Sequence, residues 1–430
     1  MKLELILPIQ ENKGYPKGLR MPPLTLPALA ALTPPGIDVI VTEEETEEIV
    51  YKDDVDLAGI SFVTPTAPRA FEIAEKYRKR GTKVVLGGMH ASALPDEAID
   101  HADSVVIGEA ENVWQQVIQY FRSNRLKRFY RSDTLANLCE LPIPRRDLQK
   151  KMMTFSPYSI QTTRGCPFFC DFCIVTAFFG NSFRFRPIPE VIEEIEMSGK
   201  KNWIFVDDNI IGHKEYARKL FQELAHLKIR WVGQSSLLLG RDDTLMKMAA
   251  ESGCVGLFIG FESLSSQNLR SIHKDFNKVE HFEDSIKKLH DHGILVQASF
   301  IFGLDYDDKH VFEKTVAFLI RNKIAAVSFS ILTPFPGSKL HERFEKEGRI
   351  ISRDWSKYDY ETVVYKPKWM TPEELEEGKR WAGREFYSNP SILSRFSANR
   401  RHPLLYSVVN LSYRSRQKKG LRRDKTSAGY

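Results

Sequence analysis

The sequence predicts an α/β protein built from two parallel-sheet units and a helical extension. Three observations carry this. Short apolar, β-branched runs alternate with amphipathic helical stretches, the pattern of parallel strands joined by crossover helices. The alternation occurs twice, on either side of an aperiodic stretch containing Leu141-Pro142-Ile143-Pro144. After Pro334-Phe335-Pro336-Gly337 the pattern turns helical. At 430 residues the chain exceeds one ordinary domain. We divide it into residues 1–130, a linker at 131–155, a second unit at 156–340 and an extension at 341–430.

The first unit begins with the apolar run Leu3–Pro8. It lacks a small-residue cleavage site and is expected to form a buried strand, not a signal peptide. Val39–Val41 and Leu57–Val63 are further strands, and Ala70–Arg80 has helical spacing. Val84–Leu86 runs into Gly87-Gly88, and Ser104–Ile107 into Gly108. This predicts a doubly wound, Rossmann-like parallel sheet, in which ligands bind beyond the carboxyl ends of the strands. Those ends carry Ser61 and Thr64, then Gly87, Gly88 and His90, then Gly108 and Glu109. No GxGxxG occurs, which argues against a dinucleotide.

The second unit has strand signals at Ser159–Thr162, Trp203–Val206, Arg230–Gln234, Gly256–Phe261, Leu295–Phe302 and Ala326–Leu332. Between them, Glu215–Leu227 places Leu220, Phe221, Leu224 and Leu227 on one helical face. Repeated βα units of this length predict a full or partial α/β barrel of TIM type, with function at the C-terminal strand ends. There stand Asp207-Asp208-Asn209, Gln234-Ser235-Ser236, Glu262-Ser263, Ser299 and Gly303. For any one acid, helix capping is the competing role. In the extension, Thr371-Pro372-Glu373-Glu374 is a helix start with a capping threonine and proline in the first turn.

Composition narrows the classes. With 42% hydrophobic and 27% charged residues the chain reads as a globular protein, and no apolar run is long enough to span a bilayer. Net charge is +6, yet residues 391–430 alone carry ten Lys/Arg against Asp424. The remainder is slightly acidic, so nucleic-acid binding is not expected. Five cysteines, three within eight positions, exclude a disulfide framework and imply a reducing, cytoplasmic compartment. Cys139 and Cys254 stand alone and are expected to be small buried residues.

The three clustered thiols are Cys166, Cys170 and Cys173, a C-x3-C-x2-C spacing on a loop after the first strand of the second unit. Thiolates are the ligands of iron–sulfur clusters, and three can fill three corners of a cubane while leaving one iron open. Structural zinc calls for four ligands. No second cysteine pair lies nearby, and the next histidine is His213.

This segment, Thr162-Thr163-Arg164-Gly165-Cys166-Pro167 through Cys170-Asp171-Phe172-Cys173, resembles the signature of the radical S-adenosylmethionine (SAM) superfamily. Its flanks resemble the branch with an N-terminal cobalamin-binding domain. The resemblance implies a 4Fe-4S cluster on Cys166, Cys170 and Cys173, with SAM on the fourth iron. It also implies an electron donor such as flavodoxin or ferredoxin. Phe172 matches the aromatic near adenine. Asp207, Asp208 and Asn209 match the second-strand contact to the SAM amino group, and Glu262 and Ser263 the fourth-strand contact to ribose or carboxylate. Ser299 and Gly303 match the fifth-strand segment against adenine, although Ser299 replaces its first glycine and Asp305 stands where many relatives have proline.

Thr25–Pro34, Gly59–Pro65, Val84–His90 and Val106–Glu111 resemble the cobalamin-binding fold. That likeness implies that Ser61, Thr64, Gly87, Gly88, His90, Gly108 and Glu109 line a corrin pocket. The Asp-x-His-x-x-Gly motif is absent and the first loop, residues 11–24, has no histidine, so a purely structural Rossmann-like domain is the competing reading. Residues 386–416 mix apolar and aromatic side chains with arginines. Two readings stand: peripheral association with an anionic membrane surface, or a helical extension on the barrel with a disordered tail. The resemblance implies C-methylation at an unactivated C–H bond, and the membrane reading of the C-terminal segment points to a hydrophobic, lipid- or tetrapyrrole-like small molecule as substrate. The rivals are radical ring or carbon–carbon chemistry without methylation, and a non-catalytic metal- or corrinoid-binding protein.

Overall fold

The computed structural model describes residues 1–10, 21–139, 141–150, 156–180 and 182–427, with side chains as far as Gln417. Most of the histidine-free first loop, part of the linker and the basic side chains from Lys418 onward lie outside the described residues.

Six parallel strands make the first sheet: β1 Lys2–Leu7, β2 Asp38–Glu43, β3 Leu57–Ser61, β4 Lys83–Gly87, β5 Ser104–Ile107 and β6 Phe129–Arg131, in the order β2-β1-β3-β4-β5-β6. Successive side chains alternate between faces. Leu3, Leu5 and Leu57 therefore pack under the helices Thr25–Leu32 and Trp114–Arg122. Ile6, Ala58 and Ile60 pack under Ala67–Arg78 and Pro95–Asp100. Burial on both faces explains the near-continuous apolar runs. The edge strand β6 is too short to have registered as a period in the sequence.

The second sheet contains β7 Tyr158–Ile160, β10 Asn202–Phe205, β11 Arg230–Ser235, β12 Cys254–Glu262, β13 Leu295–Phe302 and β14 Ala326–Ile331. A small antiparallel hairpin, β8 Thr163–Arg164 with β9 Arg184–Phe185, lies between β7 and β10. The large sheet runs β14-β13-β12-β11-β10-β7, all parallel. It stays open, with β7 and β14 at its edges, so the barrel is a partial one. The helix expected at Glu215–Leu227 spans Lys214–Leu227 and buries Leu220, Phe221 and Leu224.

The extension packs back on this sheet. Thr371 caps Pro372–Phe386: its Oγ1 accepts from Glu374 N at 3.2 Å, while its own N–H donates to Glu374 at 2.9 Å. Arg395, wholly buried, donates to the carbonyls of Ile324, Ala325 and Phe386 and to Asn410 Oδ1, with its guanidinium 3.8 Å from the Phe386 ring. Tyr387 and Tyr413 stack 5.1 Å apart beside β14. One face of the last helix, Pro403–Ser427, is therefore packed on the core. Cys254 is buried as expected; Cys139 is not, and its exposure corrects that expectation. It lies at a turn in the linker, beside the buried Leu138.

Candidate functional site

The cysteine loop is held from below by Asp207. Its Oδ1 accepts from the N–H and hydroxyl of Thr162, at 3.0 and 2.8 Å, and from both the N–H and hydroxyl of Thr163. Asp207 is fully buried, and its Oδ2 has no partner among the described residues. Gly165 follows with φ +90°; a Cβ there would overlap the Ser182 carbonyl oxygen, so the position demands glycine. Its N–H donates to Asp208 Oδ2 at 3.2 Å. Within the loop, Cys173 N–H donates to the Cys170 carbonyl at 3.0 Å. Asp171 ties the loop to its surroundings through Ile272 O, Leu340 N and His273 Nδ1, and Phe168 stacks on Phe276 at 3.7 Å.

All three thiols are half-buried. Burial pushes Cys170 up to about 12 and Cys173 up to about 11, and raises Cys166 as well. Such thiols are poor nucleophiles; coordination to a metal is what would deprotonate them. Among the described residues no three His, Cys, Asp or Glu side chains converge tightly enough to hold one metal ion. A cubane asks less convergence, because each thiolate takes its own iron. The donor set fits an iron–sulfur cluster.

Around the loop, the strand ends bring together the remaining polar residues. Burial and the neighbouring Asp207 charge push Asp208 up to about 7. Asn209 is buried and accepts from Ser236 N at 3.2 Å. Glu262 adopts φ +65° and pairs with the buried Lys274, whose ammonium stands 5.9 Å from the rings of Phe172 and Phe276. Ser263 accepts from Ser265 N at 3.1 Å. Ser299, half-buried, lies in register between Gly260 and Ser328. Gly303 has φ +88° beneath Tyr365 and Leu375, where a Cβ would clash. Asp307 braces this turn, accepting from Gly303 N and Leu304 N at 3.0 Å. Lys274, Asp307 and Tyr365 carry no motif, so sequence reading missed them; only tertiary packing brings them here.

A cavity of about 2040 Å³ opens between all three units. From the first sheet it is lined by Ser61, Gly87, Gly88, Gly108 and Glu109. Gly88, at φ +101°, sits so close to the Phe62 backbone that no Cβ fits, whereas nothing lies within 4 Å of a Cβ at Gly108. That open strand end suits a broad, flat ring such as a corrin. Thr64 and His90 do not line the cavity, contrary to expectation. His90 is buried behind it: Nδ1 lies 3.2 Å from Thr64 Oγ1 and Nε2 3.3 Å from Glu97 Oε2, which itself belongs to a carboxylate accepting from Trp355 Nε1 at 2.8 Å. The apolar packing of Phe62, Phe71 and Trp355 encloses the ring.

Glu109 joins the two units. It accepts from Arg164 at 2.7 Å, from two nitrogens of Arg184 at 2.9 Å and from Ala136 N at 2.9 Å. Burial opposes its ionisation, but Arg184 and Arg164 hold the carboxyl below the usual range. Arg164 also pairs with Glu111 at 2.7 Å and stands two residues before Cys166. Neither Arg164 nor Arg184 shows a sequence signal that would reveal this contact.

A large cavity at the strand ends of one parallel sheet, reached from the second unit by Arg164, Phe178 and Phe179 on either side of the trithiol loop, points to a class that pairs a corrinoid with an iron–sulfur cluster. Residues 18–118 match the B12 binding domain and residues 160–319 the radical SAM superfamily. The bacteriochlorophyllide d C-12(1)-methyltransferase of Chlorobaculum tepidum is 34% identical over 87% of this chain and 84% of its own. The C-8(2)-methyltransferase of the same organism is 31% identical over 91% of each. The cobalamin-dependent radical enzyme OxsB shares the fold, with TM-score 0.69 at 14% identity over 95% of this chain and 72% of its own. The chain belongs to the radical SAM superfamily, in the branch with an N-terminal B12-binding domain, and is a B12-dependent methyltransferase. Its cofactors are a 4Fe-4S cluster, SAM and cobalamin.

Proposed function

We propose that this enzyme methylates an unactivated carbon of a large apolar substrate, a tetrapyrrole-like ring or a polycyclic lipid. The observation that carries the reading is the shared cavity. Its volume of about 2040 Å³ exceeds the roughly 300–1,000 Å³ of an ordinary small-molecule pocket, leaving space for a substrate beside a corrin. Its walls include Phe178, Phe179, Phe329, Tyr387 and Tyr413. Relatives named for methylation of bacteriochlorophyllide and of hopanoids support that class.

When bound, the cofactors supply a 5′-deoxyadenosyl radical and a transferable methyl group; the chain's residues bind, orient and exclude water. In this reading Cys166, Cys170 and Cys173 hold the cluster. Phe172, Asp208, Asn209, Glu262, Ser263, Ser299 and the Gly303 backbone orient SAM, and Asp207 fixes the strand end from which the loop departs. Ser61, Gly87, Gly88, Gly108 and Glu109 form the corrin side, with Thr64 and His90 as its support from behind.

The test is anaerobic turnover of the reconstituted full chain with a chlorophyllide and, separately, with a hopene. Methylated product with both S-adenosylhomocysteine and 5′-deoxyadenosine is expected. A magnesium-protoporphyrin ester cyclase of Cereibacter sphaeroides is 24% identical over 82% of this chain, so ring formation is the second reading. Deoxyadenosine without S-adenosylhomocysteine would favour it. Neither by-product from a fully loaded cluster would refute both.

A further inference from the structure

The last helix has two faces, and only one is covered. Tyr406 and Asn410 are buried against the barrel, Tyr413 stacks on Tyr387, and Gln417 reaches the cavity. At 3.6 residues per turn, Leu404, Val408 and Leu411 fall on the opposite side. They are exposed: Leu404 by 77% and Leu411 by 59%. Leu393, 74% exposed, is a further exposed apolar residue on the preceding segment, while Phe396 packs its ring on Tyr406.

The surface is set in positive charge. Arg400 and Arg401 are exposed beside it, and Arg414 follows on the same helix. The sequence from residue 391 onward carries ten Lys/Arg against one acid. An isologous contact with a second copy would bring this charge against itself, whereas a negatively charged headgroup layer complements it. No described helix is long and apolar enough to cross a bilayer, so contact with lipid would be made at the surface, through the outward stripe.

We propose that the outward face of Leu404, Val408 and Leu411 docks this enzyme on an anionic lipid bilayer. The same helix contributes Tyr413 and Gln417 to the cavity, so docking would set the cavity wall at the membrane surface, where an apolar substrate partitions. The docking rests on the surface alone; substrate delivery rests on the function proposed above.

The test is co-sedimentation of the cluster-loaded full chain with vesicles of phosphatidylcholine, with and without phosphatidylglycerol. Sedimentation with the anionic vesicles only is expected, weakening as salt is raised. L404E/V408E/L411E should lower the bound fraction at least about tenfold. SAM cleavage without substrate and iron content should stay unchanged, which separates lost docking from a misfolded chain or a wrong reading of the chemistry. L404S/L411S is the milder companion should the triple variant fail to fold; an intermediate loss is expected. Equal binding of parent and variants, or equal binding to neutral vesicles, overturns the proposal. So does a parent dimer in solution that these substitutions convert to a monomer.

Discussion

Replacing Glu109 by glutamine tests whether the two sheets are coupled through the cysteine loop. The carboxylate is buried and takes four donors: one nitrogen of Arg164, two of Arg184 and the Ala136 N–H. A glutamine offers one acceptor and turns an amide donor toward a guanidinium. Removing one partner of a buried ion pair costs about 3–5 kcal/mol. Glu111 stays on Arg164, so the lower end, about 3 kcal/mol, is expected. Glu111→Gln leaves Glu109 in place and should cost about 1 kcal/mol. Urea unfolding of the full chain, with iron retention measured alongside, gives both numbers. The sign with pH follows from the lowered Glu109 carboxyl. Its stabilisation is complete above the unfolded value, roughly 4.3, and is lost as pH falls through the lower folded value. The gap between parent and Glu109→Gln should therefore close on acidification below the ordinary carboxylate range. A difference under about 0.5 kcal/mol at neutral pH, within the ordinary surface range, or a gap that survives acidification, refutes the coupling.

Other changes probe the site and its supports. Cys170→Ala should abolish the cluster's absorbance and 5′-deoxyadenosine formation; retained cleavage removes Cys170 from the ligand set. Gly165→Ala forces a Cβ into the Ser182 carbonyl at a left-handed φ, and iron incorporation should fall sharply with the melting temperature little changed. Lys274→Met strands the buried Glu262 charge and should cost about 3 kcal/mol; adding Glu262→Gln should recover a large part, and no recovery denies the pairing. Arg395→Met removes a buried guanidinium that donates to Asn410 and to three carbonyls, of which Ala325 keeps Asn410 Nδ2 and Phe386 keeps Ser391 Oγ, so limited proteolysis should release the extension; an equally resistant variant refutes its anchoring role.

Much of this was legible in the residues because it is local. The C-x3-C-x2-C spacing, the apolar runs of β1, β3, β12 and β13, and the Thr371 cap each involve neighbours along the chain, and each stands where the spacing put it. His90 shows the limit. Its place at a strand end marked it for the corrin pocket, yet Thr64, Glu97 and Trp355 enclose it, and Trp355 comes from far along the chain. Cys139 misled for the same reason: burial depends on what packs over a residue, not on the residue alone.

The sequence by itself determined the two parallel sheets, the loop that carries three clustered cysteines and the family, since periodicity and motif spacing are written within a few residues. Only the tertiary structure decided that Glu109 faces Arg164 and Arg184, and that Lys274 neutralises Glu262. It also showed that the final helix lines the cavity with one side and exposes an apolar stripe on the other. Those are contacts between segments far apart in sequence. They depend on how whole elements pack, and no local pattern specifies that.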